Sequence, residues 1–497
     1  MTKPSFLTLA CLIASLAACD KPAAPAPTVS LHEAVELGDL ATVKQLLASG
    51  ADVDAGAVLH RMPIQIAARA GHVEIVKVLL AAGAKVDARN KMDAYPALYL
   101  AVEAGHAEVV KLLLAAGAKI HVQEDGTQLI HLAAAKGHAE VVKLFLAVGA
   151  KVDAKDEDGS QLIHLAATHG HVEVVKLLLA AGAKMDAEDK HGSQPLHLAA
   201  THGHVEVVKL LHAAGAKMDA EDKHGAQPLH LAVAAGQVEL VKYFFSVGAK
   251  LEVEGKHGLQ LIYLAAAGGH VEVVQLLLDK GATLESRNDL SYSPLHVAAT
   301  NGHAAVVKLL LAAGAQVAIQ DKNGDQLLHN AALRGHIEVV RILIAAGAQV
   351  DAKDKRGFQT LHHAVMGGKV EMVKLLLAAG AQVNQDEIAT QLLHLARETE
   401  VVKLLLAAGA RVNVQDENGT QAIHYAAQSG NTDNVKLLLA AGAKVNAQDH
   451  DGAHPLHFAL RDDNRRKRSQ VREPVEMLNL LLARGAEVEA RDKSGQT

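Results

Sequence analysis

From residue 31 onward, apolar and polar positions keep to one recurring phrase, clearest between His164 and Gly192. Valines and leucines at 172, 174, 175, 177, 178 and 179 make the wide apolar stripe of a packed helix over Val172 to Ala181. Glu173 and Lys176, three residues apart, share its wet side. His164 to His169 reads as a shorter Ala-rich helix, and Gly170-His171 as the turn between the two. Glycines at 170 and 182 suit helix C-ends, where a left-handed backbone meets no Cβ. The polar run Ala187 to Gln194 supplies a further turn with Gly192 as its pivot. Strand-length alternation is absent, so the pattern predicts helix pairs joined by turns.

A Gly-Ala pair ends each unit, with its glycine at 50, 83, 117, 149, 182, 215, 248, 281, 314, 347, 380, 409, 442 and 485. The steps are 33, 34, 32, seven of 33, then 29, 33 and 43, which makes about fourteen units. Residues His164 to Gly192 recur from His197 to Gly225 with one change, His212 where the first copy has Leu179. A fixed period of this length predicts a solenoid, each unit leaning on its neighbour.

A helix pair and a turn every 33 residues, carrying Pro195-Leu196-His197-Leu198-Ala199-Ala200 and Gly203-His204, resembles the ankyrin repeat. The resemblance covers about residues 31 to 497 and implies an all-α solenoid of about fourteen helix-turn-helix repeats with short β-turn fingers. It departs in one respect: Gln128, Gln161, Gln194, Gln227, Gln260 and Gln326 stand where the family usually has threonine, and leucine often replaces the following proline. In the family, the histidine held here by His131, His164, His197, His230, His296, His329, His362, His394, His424 and His457 bonds backbone between adjacent turns. A second structural set is the Gly-His turn: His72, His106, His138, His171, His204, His270, His303 and His336.

Composition narrows the class further. Half of the residues are apolar and a fifth charged, tryptophan is absent and aromatics are 2%, so Ala, Leu and Val must build thin core layers between repeats. A net charge of −6 gives no general attraction for nucleic acid or anionic lipid. The two cysteines, Cys11 and Cys19, precede the repeats, which therefore hold neither a disulfide nor a thiolate metal site.

Taken in order, residues 1–18 read as a lipoprotein signal peptide: Lys3, an apolar stretch from Phe6 to Leu16, then Leu16-Ala17-Ala18-Cys19. The last four resemble a bacterial lipobox, with Cys19 as the lipidated residue. Residues 19–30 read as a Pro- and Ala-rich tether, and 31–497 as the repeat array. Leu31 to Gly50 is the expected N-terminal cap. At 395–401 the turn between helices is missing, which predicts disturbed stacking; at 461–473 a basic insertion carries Arg465, Arg466, Lys467, Arg468 and Arg472. It fits either a solvated loop or a contact with an anionic partner or lipid head group. After the signal, no uncharged run is long enough to span a bilayer.

No nucleophile elbow, P-loop, HExxH or dinucleotide fingerprint occurs. Carboxylates recur along the turns without converging, so no catalytic residue, metal site or cofactor is expected. The turn-tip histidines His191, His224 and His257 fit a solvated ridge or a partner contact, because successive tips are too far apart to share one ion. His212 is expected to be partly buried and satisfied.

The expected activity is therefore protein binding: a periplasmic adaptor or protective inhibitor, lipid-anchored to the inner or outer membrane, monomeric, holding an exported or envelope protein. A structural spacer of the envelope without a specific partner is the alternative. Mapped from the family, the variable contact positions include Lys190, His191, Lys223, His224, His257, Leu259, Leu290, Tyr292, Arg334, Arg356 and Phe358. The early tips are polar and monotonous. The later ones carry apolar and aromatic groups beside arginine, which places the expected hot spot between Leu259 and Phe358.

Overall fold

A computed structural model describes residues 29–56, 61–89, 95–120, 129–252, 260–285, 288, 292–384, 391–460, 474–493 and 495. Among these residues, fourteen helix pairs run from Leu31–Glu36 with Leu40–Ala48 to Pro455–Leu460 with Pro474–Ala483. That equals the number of Gly-Ala boundaries, and no strand is present among the described residues. No helix among them is long and apolar enough to cross a membrane. The chain divides into two bodies, 1–217 and 218–497, and each is a stack of the same helix pair.

The helix Val172–Ala180 buries Val174, Val175 and Leu178 completely, while Leu162, Ile163, Ala166 and Ala167 of the preceding helix close the same layer. Small residues allow the helices to approach, and each layer is completed only by the next repeat. On the wet side the Lys176 Nζ meets Glu173 Oε1 at 2.7 Å, a pairing repeated at Lys209–Glu206, Lys242–Glu239 and Lys374–Glu371. These exposed pairs add a few tenths of a kcal/mol each at most, about 0.3–0.5.

Histidines at two positions of the repeat join neighbours. At the start of the first helix, His164 Nδ1 accepts the Gln161 N–H at 3.1 Å, which fixes the proton on Nε2, and Nε2 donates to Ala187 O of the next repeat at 2.9 Å. His329 to Ala352 O at 2.8 Å and His424 to Ala447 O at 3.0 Å repeat the arrangement. The glutamine that stands in place of threonine therefore contributes its backbone N–H to the cap. At Ser293 a hydroxyl takes part, accepting from His296 N at 3.3 Å.

The second histidine points backward. His204 Nε2 reaches Thr168 O at 2.8 Å, His171 reaches Ala135 O at 2.8 Å, and His270 reaches Ala234 O at 2.8 Å. Each ring lies over the turn glycine of the preceding repeat: a Cβ on Gly170 would sit 2.4 Å from His204 Nδ1. Gly170 is thus required twice, by its φ of +74° and by the ring above it. His212 is half-buried, as expected.

Two irregularities were expected. In the first repeat Asp39 replaces the second histidine and caps its helix, with Oδ1 accepting from Ala41 and Thr42 N–H. At 395–401 the first helix is cut to Gln391–Leu395, five residues, yet the second, Thr399–Ala407, buries Val401, Val402 and Leu405 like its counterparts. The expected disturbance of stacking is confined to the first helix and its turn. The basic insertion 461–473 lies outside the described residues, as do the signal 1–18 and most of the tether 19–30.

Gly182, at φ +89° with open space where a Cβ would stand, separates backbone strain from ring seating. Gly182→Ala should cost about 1 kcal/mol and Gly170→Ala about 2 kcal/mol or more in denaturant unfolding; equal losses would mean that the His204 ring is not held there. Burial pushes the His164 and His424 pKa values below the ordinary 6.5, against the opposing pull of their carbonyl partners. A depressed folded pKa means that stability is complete above the unfolded value and is lost as pH falls through and below about 6.5. The melting temperature should be lower at pH 5 than at pH 7.5; no difference would contradict neutral burial.

Candidate partner-binding surface

An aspartate shapes several of the turn fingers, and Asn288 Oδ1 accepts the Tyr292 N–H at 2.9 Å in the same way. Asp189 Oδ1 accepts the N–H groups of His191 and Ser193, both at 2.8 Å, and Asp354 Oδ1 those of Arg356 and Phe358, both at 2.8 Å. Successive fingers are also joined: Lys190 N donates to Asp158 O at 3.0 Å, Lys355 N to Asn323 O at 3.2 Å and His450 N to Asn418 O at 2.8 Å. The aspartate spends its carboxylate on shaping the loop, which leaves the flanking side chains to meet solvent or a partner.

The mapped positions fare differently. Lys190, His191, Lys223 and His224 are exposed, but the Lys190 ammonium already binds Asp158 Oδ1 of the preceding finger. That bond draws the Asp158 pKa down and the Lys190 pKa up. Cys19, His257, Leu259 and Leu290 lie outside the described residues. Arg334 is exposed at the end of helix Leu327–Arg334.

The aromatic positions require a correction. Tyr292 and Phe358 are half-buried, not open tips: Tyr292 stacks on His296 at 5.6 Å between ring centroids, and Phe358 on His362 at 5.3 Å. Arg356 lies over Phe358 at 5.0 Å and holds Asp354 Oδ2 with Nε at 3.1 Å and Nη2 at 3.0 Å. Each ring therefore packs on the first-helix histidine of its own repeat. Burial opposes the Asp354 charge, but the Phe358 N–H and Arg356 outweigh it and hold the carboxyl below its usual range.

Two exposed apolar groups sit on first helices. Leu333 is 37% and Met366 36% exposed, at equivalent places in neighbouring repeats. Thr168 and Thr201 occupy that place in the two near-identical copies, so aligning the repeats against one another reveals the substitution, whereas reading the fingers alone does not. Beyond Met366 the shortened helix opens a cavity of about 680 Å³ lined by Met366, His394, Leu395, Arg397, Asp416, Glu417, Asn418 and Tyr425. Inside it Tyr425 Oη donates to Asp416 Oδ2 at 2.6 Å. Burial, then the Asp416 charge, pushes the tyrosine up to about 12, and burial lowers the His394 pKa. Both groups are neutral at pH 7, leaving Arg397 and the Asp416–Glu417 carboxylates to set the polarity of the mouth.

A second cavity, about 730 Å³, lies in the N-terminal body against Ser30, His32, Glu33, Glu36, Arg61, Ile66, Arg69 and Ala70.

Comparison with known proteins agrees with the architecture. A family model described as ankyrin repeats (3 copies) matches residues 31–124, 120–189, 182–255, 229–321, 295–387 and 392–492. No curated protein matches the chain.

If Phe358 packs on its histidine, Phe358→Ser, which installs the residue of the sister finger at Ser193, should destabilise the protein by about 1 kcal/mol. Leu333→Thr should change stability by less than about 0.5 kcal/mol. Denaturant unfolding of the two variants in parallel would expose the opposite ranking.

Proposed function

Because the chain belongs to the ankyrin-repeat family, we propose that it is a lipid-anchored binding scaffold of a bacterial envelope, holding an exported or envelope protein on the periplasmic side as an adaptor or protective inhibitor. Ankyrin repeats generally mediate protein–protein interaction. The observation that carries the reading is the replacement of threonine by Leu333 and Met366 on adjacent first helices, beside Arg334 and the cavity at Arg397. Exposed apolar groups gain little by folding and much by being covered, and interfaces draw most of their energy from a few such residues next to arginine.

The anchor rests on Leu16-Ala17-Ala18-Cys19, with the lipid on Cys19 and residues 19–30 as tether. A monomer suits a scaffold whose membrane contact runs through that lipid. A spacer without a specific partner is the second reading, supported by the near-identity of 164–192 and 197–225, where no position has diverged toward a partner.

Crosslinked envelope captured on the full chain should yield a partner that is lost with Leu333→Thr plus Met366→Thr, by about tenfold or more in affinity. Equal recovery on both chains would place the surface elsewhere, and no specific capture would favour the spacer. Cys19→Ala should move the protein from the membrane to the soluble fraction; an unchanged distribution would remove the lipid anchor from the proposal.

A further inference from the structure

Two side chains in the C-terminal body depart from their sister repeats and meet. The residue after the bridging histidine is leucine at 165, 198 and 231, but in helix Thr360–Met366 it is His363, only 3% exposed. The residue after the finger glycine is Ser193 or Ala226 in earlier repeats, but Asp325 in the repeat next to His363. Asp325 Oδ1 lies 3.6 Å from His363 Nε2 and 3.7 Å from His329 Nδ1.

These distances are too long for hydrogen bonds and close to the spacing of ligands around one ion, about 3.4 Å apart when each stands about 2.1 Å from a tetrahedral metal. The three ligand atoms all lie within 4.8 Å of one another. Buried polar atoms are normally partnered, and here several are not: Asp325 Oδ1, Asp321 Oδ2 and His363 Nδ1 have no hydrogen-bond partner. Arg356 pairs with Asp354. Asp321, a second carboxylate beside Asp325, is only 7% exposed.

The location is also distinctive. Between these two repeats Lys369 stands where the backward-pointing histidine would be, packing its side chain near Gly335. This interface, which lacks one histidine bridge, carries the Asp–His cluster.

We propose that Asp325, His329 and His363 bind a divalent transition-metal ion of the zinc class, with a fourth position open to water. The ion staples the repeat of Leu327–Arg334 to that of Thr360–Met366. His329 exchanges the Gln326 N–H, accepted at 3.0 Å, for the metal and keeps its Nε2 bond to Ala352 O, which orients the ring. His363 Nε2, which donates to Asp354 Oδ2 at 3.3 Å, exchanges that bond for the ion, and its ring proton moves to the unpartnered Nδ1. Asp354, 3.3 Å from Nε2 and held by Arg356, remains beside the site without ligating.

The test uses the full chain freed of metal by chelation and titrated with Zn²⁺ alone, with Co²⁺ as a visible probe. His363→Leu and Asp325→Ser install sister-repeat residues, so both should fold; His191→Ala removes an exposed histidine as control. The expected result is one tight site, a raised melting temperature and cobalt ligand-field bands, all retained in His191→Ala. Each cluster variant should lose the bands and the thermal shift, with affinity down by about 100-fold or more. Unchanged binding and thermal shift in both cluster variants would overturn the site, as would wild-type binding no tighter than theirs.

Discussion

The structure depends on histidine rings that leave their own repeat. A repeat of two short helices cannot bury its apolar face alone, and its backbone carbonyls at the turns would remain open without a donor from outside. His164 supplies one across the forward boundary and His204 another across the backward boundary, each fixed by geometry to a single tautomer or a single seat. Glycine and histidine are coupled at this joint. The ring of His204 occupies the volume that any side chain on Gly170 would need.

Where that joint changes, the chain varies in other ways. Lys369 and Glu398 stand in place of the second histidine against Gly335 and Gly368. The next repeat restores a bridge by different chemistry, with Asn431 and Asn434 Nδ2 both reaching Arg397 O, at 3.2 and 3.0 Å. Within this stretch lie the shortened helix Gln391–Leu395, the cavity beside it, the exposed Met366 and the Asp325–His363 cluster. Looser grammar and candidate chemistry coincide because the same substitution that removes a structural bond frees a position for another use.

The aromatic residues show how a surface position can serve the interior. Phe358 and Tyr292 occupy finger sites open to variation, yet their rings fold back onto His362 and His296. A stacked ring covers the histidine beneath it and excludes water from that face. Arg356 extends the same stack outward while neutralising Asp354, so that its charge is committed before any partner arrives.

Periodicity by itself determined the helix pairs, their number and their boundaries, because each repeat encodes the same local solution: an apolar stripe, a glycine at the helix end and an aspartate in the finger. It also identified both histidine sets as structural, since a residue recurring every 33 positions serves what recurs. What only the tertiary structure decided lies between repeats. Asp325 and His363 are 38 residues apart (363 − 325) and each looks like an isolated deviation in its own repeat; stacking brings them to 3.6 Å. The exposure of Leu333 and Met366, the retreat of Tyr292 and Phe358, and the cavity at Arg397 depend likewise on which side chain of the adjacent repeat fills the space alongside. A linear pattern specifies the face that a residue occupies, but contact across a boundary depends on the shapes of two repeats at once.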